Sequence, residues 1–150
     1  MRVVIQRVKE ASVSVQGVKI SEIQKGLLIL VGVETHDTQQ DIDWLVAKVA
    51  KLRIFEDSLG AMNVSLQDIG ADVIVVSQFT LHASTKKGNR PSFIKAAKPE
   101  VAIPLYQEFV DSLEKQLDKK IQTGQFGAMM DVALINDGPV TITIDTKNKE

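Results

Sequence analysis

The sequence predicts an α/β chain with a layered β core, curved or two-sheet and barrel-like, and two main helices on one side. Three observations carry this. Roughly eight short runs are apolar or alternating at strand length, and only two stretches place apolar residues at helical spacing. No linker, repeat or low-complexity tract separates them, so residues 1–150 read as one domain. Two helices cannot cover both faces of so many strands, so the core must curve or double over. Any exposed apolar face or edge that remains is most simply hidden in a homodimer.

Residues 3–8 and 12–15 read as the first two strands, with Lys9-Glu10 as a tight connection. Gly17 marks a turn, after which Val18 and Ile20 alternate with polar neighbours in a strand over 18–23. The run 27–33 is apolar throughout, which predicts a central strand covered on both faces. Thr38 and Asp41 match a capping box, and Ile42, Leu45, Val46, Val49 and Leu52 form one helical stripe. Trp44 lies beside that stripe and reads as packing. Residues 53–55 are extended, 57–63 form a hairpin or loop around Gly60, and a turn at Gly70 leads into a strand over 73–76.

A second helix is expected from about Pro99 to Asp118, with Leu105, Phe109, Leu113 and Leu117 on one face. Pro104 lacks an amide donor, so the regular helix either starts near it or bends there. Residues 122–123 (a weak signal), 132–135 and 140–144 complete the strands, and the tail from about 147 reads as disordered.

Composition narrows the function. There is no cysteine, which excludes disulfides, zinc–thiolate sites and cysteine nucleophiles and fits a cytoplasmic location. The amino-terminal residues turn polar too soon for a signal peptide, and the longest apolar run is far short of a membrane span. Net charge is −1, so contact with nucleic acid needs a local basic patch. One exists: Lys86, Lys87, Arg90, Lys95 and Lys98 fall in a stretch free of acidic residues, with Gly88 permitting close backbone approach. A solvated loop is an equal reading of that stretch.

Two segments depart from the strand pattern, Ser77-Gln78-Phe79-Thr80 and Asn136-Asp137-Gly138-Pro139-Val140-Thr141. Each is read at the end of an apolar run, where a rigid sheet presents polar groups to a cleft. Taken singly, either is equally a strand cap or a turn, since Asn-Asp-Gly-Pro is good turn chemistry. His36 and His82 have no second ligand at metal-binding spacing, and both read as structural or exposed. Ser77 and His82, five residues apart, would point to opposite faces of a strand, so no serine–histidine pair is expected. What remains is backbone donors, a hydroxyl or two and one amide. Such a set holds an oxyanion and positions water without a strong base, which suits an activated ester.

Together, the two segments resemble the signature pair of the D-aminoacyl-tRNA deacylases. Gln6-Arg7-Val8, Gly26-Leu27-Leu28, Leu52-Arg53-Ile54-Phe55, Arg90-Pro91-Ser92-Phe93 and Thr123-Gly124-Gln125-Phe126-Gly127-Ala128 extend the likeness in the same order, over nearly the whole chain. The resemblance implies that Gly138-Pro139 is a Gly-cisPro element inserted into the active site of a dimer partner. There its carbonyls would grip the substrate amino group and exclude an L side chain. Arg7 would brace it from the facing subunit, with Asn136 in support. Ser77, Gln78, Phe79 and Thr80 would line the catalytic side, with N–H groups near Phe79 and Thr80 on the oxyanion. Thr80 is a nucleophile candidate ranked behind water assisted by the ribose 2′-hydroxyl.

Phe126 and Met130 would surround the terminal adenine, core packing being the competing role, and Lys86, Lys87 and Arg90 would contact the substrate. Many members carry an acidic residue where this chain has Met129. The implied partners are an aminoacyl-tRNA and a second copy of the chain, with no metal, cofactor, membrane or other protein. The competing class is a non-enzymatic dimeric nucleic-acid-binding protein.

Overall fold

The computed structural model describes residues 1–150 and is organised around one long strand, β1 (Arg2–Val15). Residues 2–8 of β1 pair antiparallel with β3 (Gly26–Gly32), and residues 11–15 pair antiparallel with β2 (Val18–Ile23). The other edge of β1 pairs along its length with β8 (Met130–Asp145). Parallel to β3 lies β6 (Asp72–Ser77), and parallel to that β7 (Gln122–Thr123). The sheet curls until β2 approaches β6 and β7, giving the nearly closed, barrel-like core that the strand count required. A Cβ on Gly26 would run into the Asp72 backbone, so a glycine is needed where β3 meets the start of β6.

Both main helices, α1 (Gln39–Lys51) and α3 (Pro99–Leu117), pack on each other and on one face of the sheet. The Thr38–Asp41 capping box forms as the sequence predicts, and Ile42, Leu45, Val46 and Val49 face the core. In α3 the buried face is Ala102, Tyr106, Phe109, Val110 and Leu113, while Leu105 and Leu117 sit at its margin. The helix opens on Pro99, where a missing N–H is harmless, and continues through Pro104. A smaller apolar cluster, Val8, Ala11, Val13, Ile23, Leu28, Ile74 and Val76, fills the inside of the curl. The run predicted over 27–33 is buried on both faces, as expected.

Three expectations are corrected. Lys9-Glu10 is not a connection. Val8 pairs with Asn136 and Glu10 with Ile135, so Lys9 is a bulge within one strand. The strands expected at 132–135 and 140–144 are likewise one, with residues 137–140 bulging out opposite Arg7. Between the short hairpin strands β4 (Phe55–Glu56) and β5 (Met62–Val64) and strand β6 lies an unexpected turn of helix, α2 (Leu66–Ile69). Ser65 and Asp68 cap it reciprocally.

Two lysines of the tail expected to be disordered reach the folded body. Lys147 Nζ donates to Asp41 at 2.7 Å, and Lys149 Nζ lies 4.6 Å from the centroid of the Trp44 ring. Burial pushes the Asp41 carboxyl up, but hydrogen bonds from Lys147, Thr146 and Thr38 outweigh it and hold Asp41 well below the usual carboxylate range. A carboxylate depressed by folding stabilises above its unfolded pKa and loses that contribution as pH falls. Lys147→Met is therefore expected to lower the melting temperature at pH 7 and to matter progressively less below about pH 4. Melting curves of both proteins across that range check this, and a gap that widens in acid would rule the pair out.

Candidate active site

Strand β6 is a buried apolar run that turns polar at Ser77, where its parallel register with Val31 ends. Gln78 N–H extends the ladder by one bond, donating to Val31 O at 2.7 Å. The backbone then swings at Gln78 (φ −146°, ψ 84°) into a 3-10 turn over Phe79–His82. Leu81 N–H donates back to Gln78 O at 3.2 Å. The N–H groups of Phe79 and Thr80, ahead of that bond, have no partner within the turn. Gln78 Nε2 donates to Thr80 Oγ1 at 2.5 Å, which orients the hydroxyl but gives it no base, since an amide does not take a proton. The half-exposed Phe79 ring packs edge-on against Phe93, centroids 5.1 Å apart.

This turn borders a mostly apolar cleft of about 710 Å³, formed by the end of β6, the first turns of α3 and residues 126–130. Ser77, Gln78, Phe79, Thr80, Phe126 and Met130 all line it. Sequence reasoning missed Tyr106, which forms its base. Its hydroxyl donates to Val75 O at 2.9 Å, and the same oxygen accepts from Gly124 N–H at 3.1 Å. Burial pushes the Tyr106 phenol up to about 12, so it stays a donor at any ordinary pH. Phe126 meets the Tyr106 ring edge-on at 5.8 Å, so it both packs and lines the cleft. Met130 Sδ accepts from Gln125 N–H at 3.4 Å, and Met129 stands almost fully exposed at the rim.

The other sequence motif lies elsewhere in the chain. Gly138-Pro139 is cis and exposed, at the crest of the β8 bulge, and does not line this chain's cleft. Buried Arg7 braces the bulge from within the same chain. Its Nε donates to Asp137 O at 2.9 Å, and its Nη1 to Ile54 O at 2.6 Å. Asn136 closes the neck, donating to Gln6 Oε1 at 2.5 Å, where Thr141 Oγ1 also donates at 2.6 Å. A Cβ on Gly138 would collide with Asn136 Oδ1.

Lys86, Lys87 and Arg90 sit on an exposed loop whose ends are clamped by paired bonds between Ser84 and Ser92, and none lines the cleft. His82 is fully buried behind the turn, its Nδ1 3.8 Å from Glu34 Oε2, and His36 is exposed. No group of three or more acidic or histidine side chains could hold a metal.

A curled sheet that delivers main-chain donors, an amide and a hydroxyl to an apolar cleft is an arrangement suited to ester hydrolysis. A family model described as D-Tyr-tRNA(Tyr) deacylase matches residues 4–145. The chain is 67% identical, over the full length of both, to a D-aminoacyl-tRNA deacylase of Flavobacterium johnsoniae. It is 61% identical over the same span to one of Bacteroides thetaiotaomicron. A solved c-Myc DNA unwinding element binding protein is 41% identical with a TM-score of 0.91, the match covering 97% of this chain and 98% of that one. A probable eukaryotic D-amino acid tRNA deacylase shares the fold at 16% identity and a TM-score of 0.84, covering 95% and 97%. The chain belongs to the D-Tyr-tRNA(Tyr) deacylase family, whose members are D-aminoacyl-tRNA deacylases, hydrolases of an ester bond. No helix is long and apolar enough to cross a membrane.

Proposed function

We propose that this chain works as a homodimer in which each copy inserts Gly138-Pro139 into the other's cleft and removes D-amino acids and glycine from the tRNA 3′-terminal ribose. One observation carries the reading: the bulge is exposed and braced by Arg7, yet lies outside the cleft of its own chain. In the complementary arrangement, main-chain carbonyls beside the bulge would accept the substrate α-ammonium group. The pyrrolidine wall would then occupy the space of an L side chain, while a D side chain points away and glycine has nothing to clash.

The ester carbonyl oxygen sits against the N–H groups of Phe79 and Thr80, which take up charge as the tetrahedral intermediate forms. Water, assisted by the neighbouring 2′-hydroxyl, attacks from the open side. The Gln78–Thr80 pair positions substrate, because nothing there takes the hydroxyl proton. Phe126 and Met130 receive the terminal adenine, and Lys86, Lys87 and Arg90 meet RNA phosphates.

Hydrolysis of D-tyrosyl-, L-tyrosyl- and glycyl-tRNA by purified protein tests the reading. Rapid loss of the D and glycyl esters with the L ester intact is expected. Glycyl-tRNA as resistant as L-tyrosyl-tRNA would refute a steric filter. The name of the 41%-identical solved relative and the basic loop favour a second reading, a nucleic-acid-binding dimer without turnover. That reading stands only if all three esters survive while nucleic acid binds.

A further inference from the structure

Cations without carboxylate partners concentrate in two places that flank the catalytic turn. One is the basic loop that follows it. The other, invisible in the sequence, is a groove of about 480 Å³ that runs from Leu81, the residue after Thr80, to Trp44 on α1. It continues past Trp44 into a second recess of about 370 Å³ that includes Lys51 and Arg53.

The charge in this groove is held in an unusual way. Lys48 Nζ lies 5.5 Å and Lys149 Nζ 4.6 Å from the Trp44 ring centroid. A ring face positions an ammonium group without neutralising it. Arg53 donates to a neutral carbonyl, Asn63 O, at 2.7 Å. None of Lys48, Lys51, Arg53 and Lys149 makes an ion pair, whereas Arg2, at the inner end, is matched to Asp145 at 2.7 Å. Glu150 is the remaining acidic group along the groove. Arg53 also lies close enough to Asp57 and Asp68 to help hold their carboxyls down. That leaves Lys48, Lys51 and Lys149 as the uncompensated cations, and three such charges around a recess favour a polyanion that stays solvated. A second protein surface would have to bury those charges unpaired.

We infer that the Trp44 groove is a second contact for the tRNA backbone, taking phosphates of the acceptor stem while the acylated end occupies the cleft. The inference rests on the deacylase reading, because that reading supplies the RNA. It assigns Lys48, Lys51 and Lys149 to phosphate contacts and makes Trp44 the support that aims two of them.

The test compares Lys48→Glu/Lys51→Glu with wild-type protein on D-tyrosyl-tRNA and on D-tyrosyl-adenosine, which has no stem. Loss of about tenfold or more in kcat/KM on the tRNA is expected, with a shallower salt dependence and the adenosine ester within about twofold. Equal loss on both substrates, or none on either, would overturn the proposal. So would an equal loss from Lys115→Glu, which changes charge on the exposed side of α3, or a changed oligomeric state in the double variant. Should wild-type protein cleave neither ester, the deacylase reading fails by itself. Binding of uncharged tRNA, read by fluorescence anisotropy, then still decides the groove: weaker binding with a reduced salt slope in the double variant supports it, and unchanged binding removes it.

Discussion

Phe79→Pro is expected to lose about 10²–10³-fold in kcat on D-tyrosyl-tRNA relative to Phe79→Ala, in protein that folds normally. The comparison isolates one hydrogen atom. Both variants remove the exposed ring and its contact with Phe93, but only proline removes the main-chain N–H that the proposed mechanism places on the oxyanion. The site accepts proline well. Gln78 is already outside the helical region that a following proline disfavours (φ −146°, ψ 84°), although its ψ falls short of the fully extended range. Phe79 is also the first residue of the turn, where no internal bond needs its N–H. Thr80→Ala, by contrast, should cost no more than about tenfold, since its hydroxyl has only an amide for company. Single-turnover rates for the three variants order the roles. If Thr80→Ala were the dead variant and Phe79→Pro the active one, catalysis would be covalent and the main-chain donors secondary.

Gly138→Ala is the second large effect, expected to lower kcat/KM on D-aminoacyl-tRNA by about 10²-fold while the melting temperature moves little. A methyl group there would meet Asn136 Oδ1, whose amide closes the bulge neck through Gln6. Relieving that collision moves the crest of the bulge relative to the Arg7 brace. A displacement near 1 Å is enough to spoil a reactive geometry. Gly138 and Pro139 are exposed and outside both apolar clusters, which the chain rejoins at Val140, so the fold has little stake in the crest itself. A companion variant, Asn136→Gly, removes the obstructing amide. Partial recovery in the double variant would tie the loss to that contact, whereas wild-type turnover by Gly138→Ala alone would detach the bulge from the chemistry.

Much of the architecture was legible because local and global signals agreed. The unbroken apolar run beginning at Leu27 had to be covered on both faces, and Thr38 with Asp41 announced α1. The same kind of signal was present at Ser65 and Asp68, but four residues of helix carry too little apolar periodicity to draw attention. Lys9 and the 137–140 segment misled for a common reason. Polar residues inside a strand look like a strand's end, and only the partner's register shows that the ladder resumes beyond them. At the site, Ser77 to Thr80 stood out as polar residues closing an apolar strand. Tyr106 did not, because its ring belongs to a helix stripe and its hydroxyl finds Val75 only after folding. Trp44 was read as packing, and its partners at the ring face come from the next helical turn and the far end of the chain.

Strand β8 sets a length that nothing else in the molecule adjusts. Val132 walls its own cleft, and six residues on, Gly138 crests the bulge offered outward. An extended chain rises about 3.3 Å per residue, so the two features stand at most roughly 20 Å apart, on a strand that β1 clamps as far as Asn136. In the proposed two-copy assembly that interval would set the spacing between paired reaction centres. Its residue count is constrained, because one residue more or fewer turns every later side chain to the opposite face.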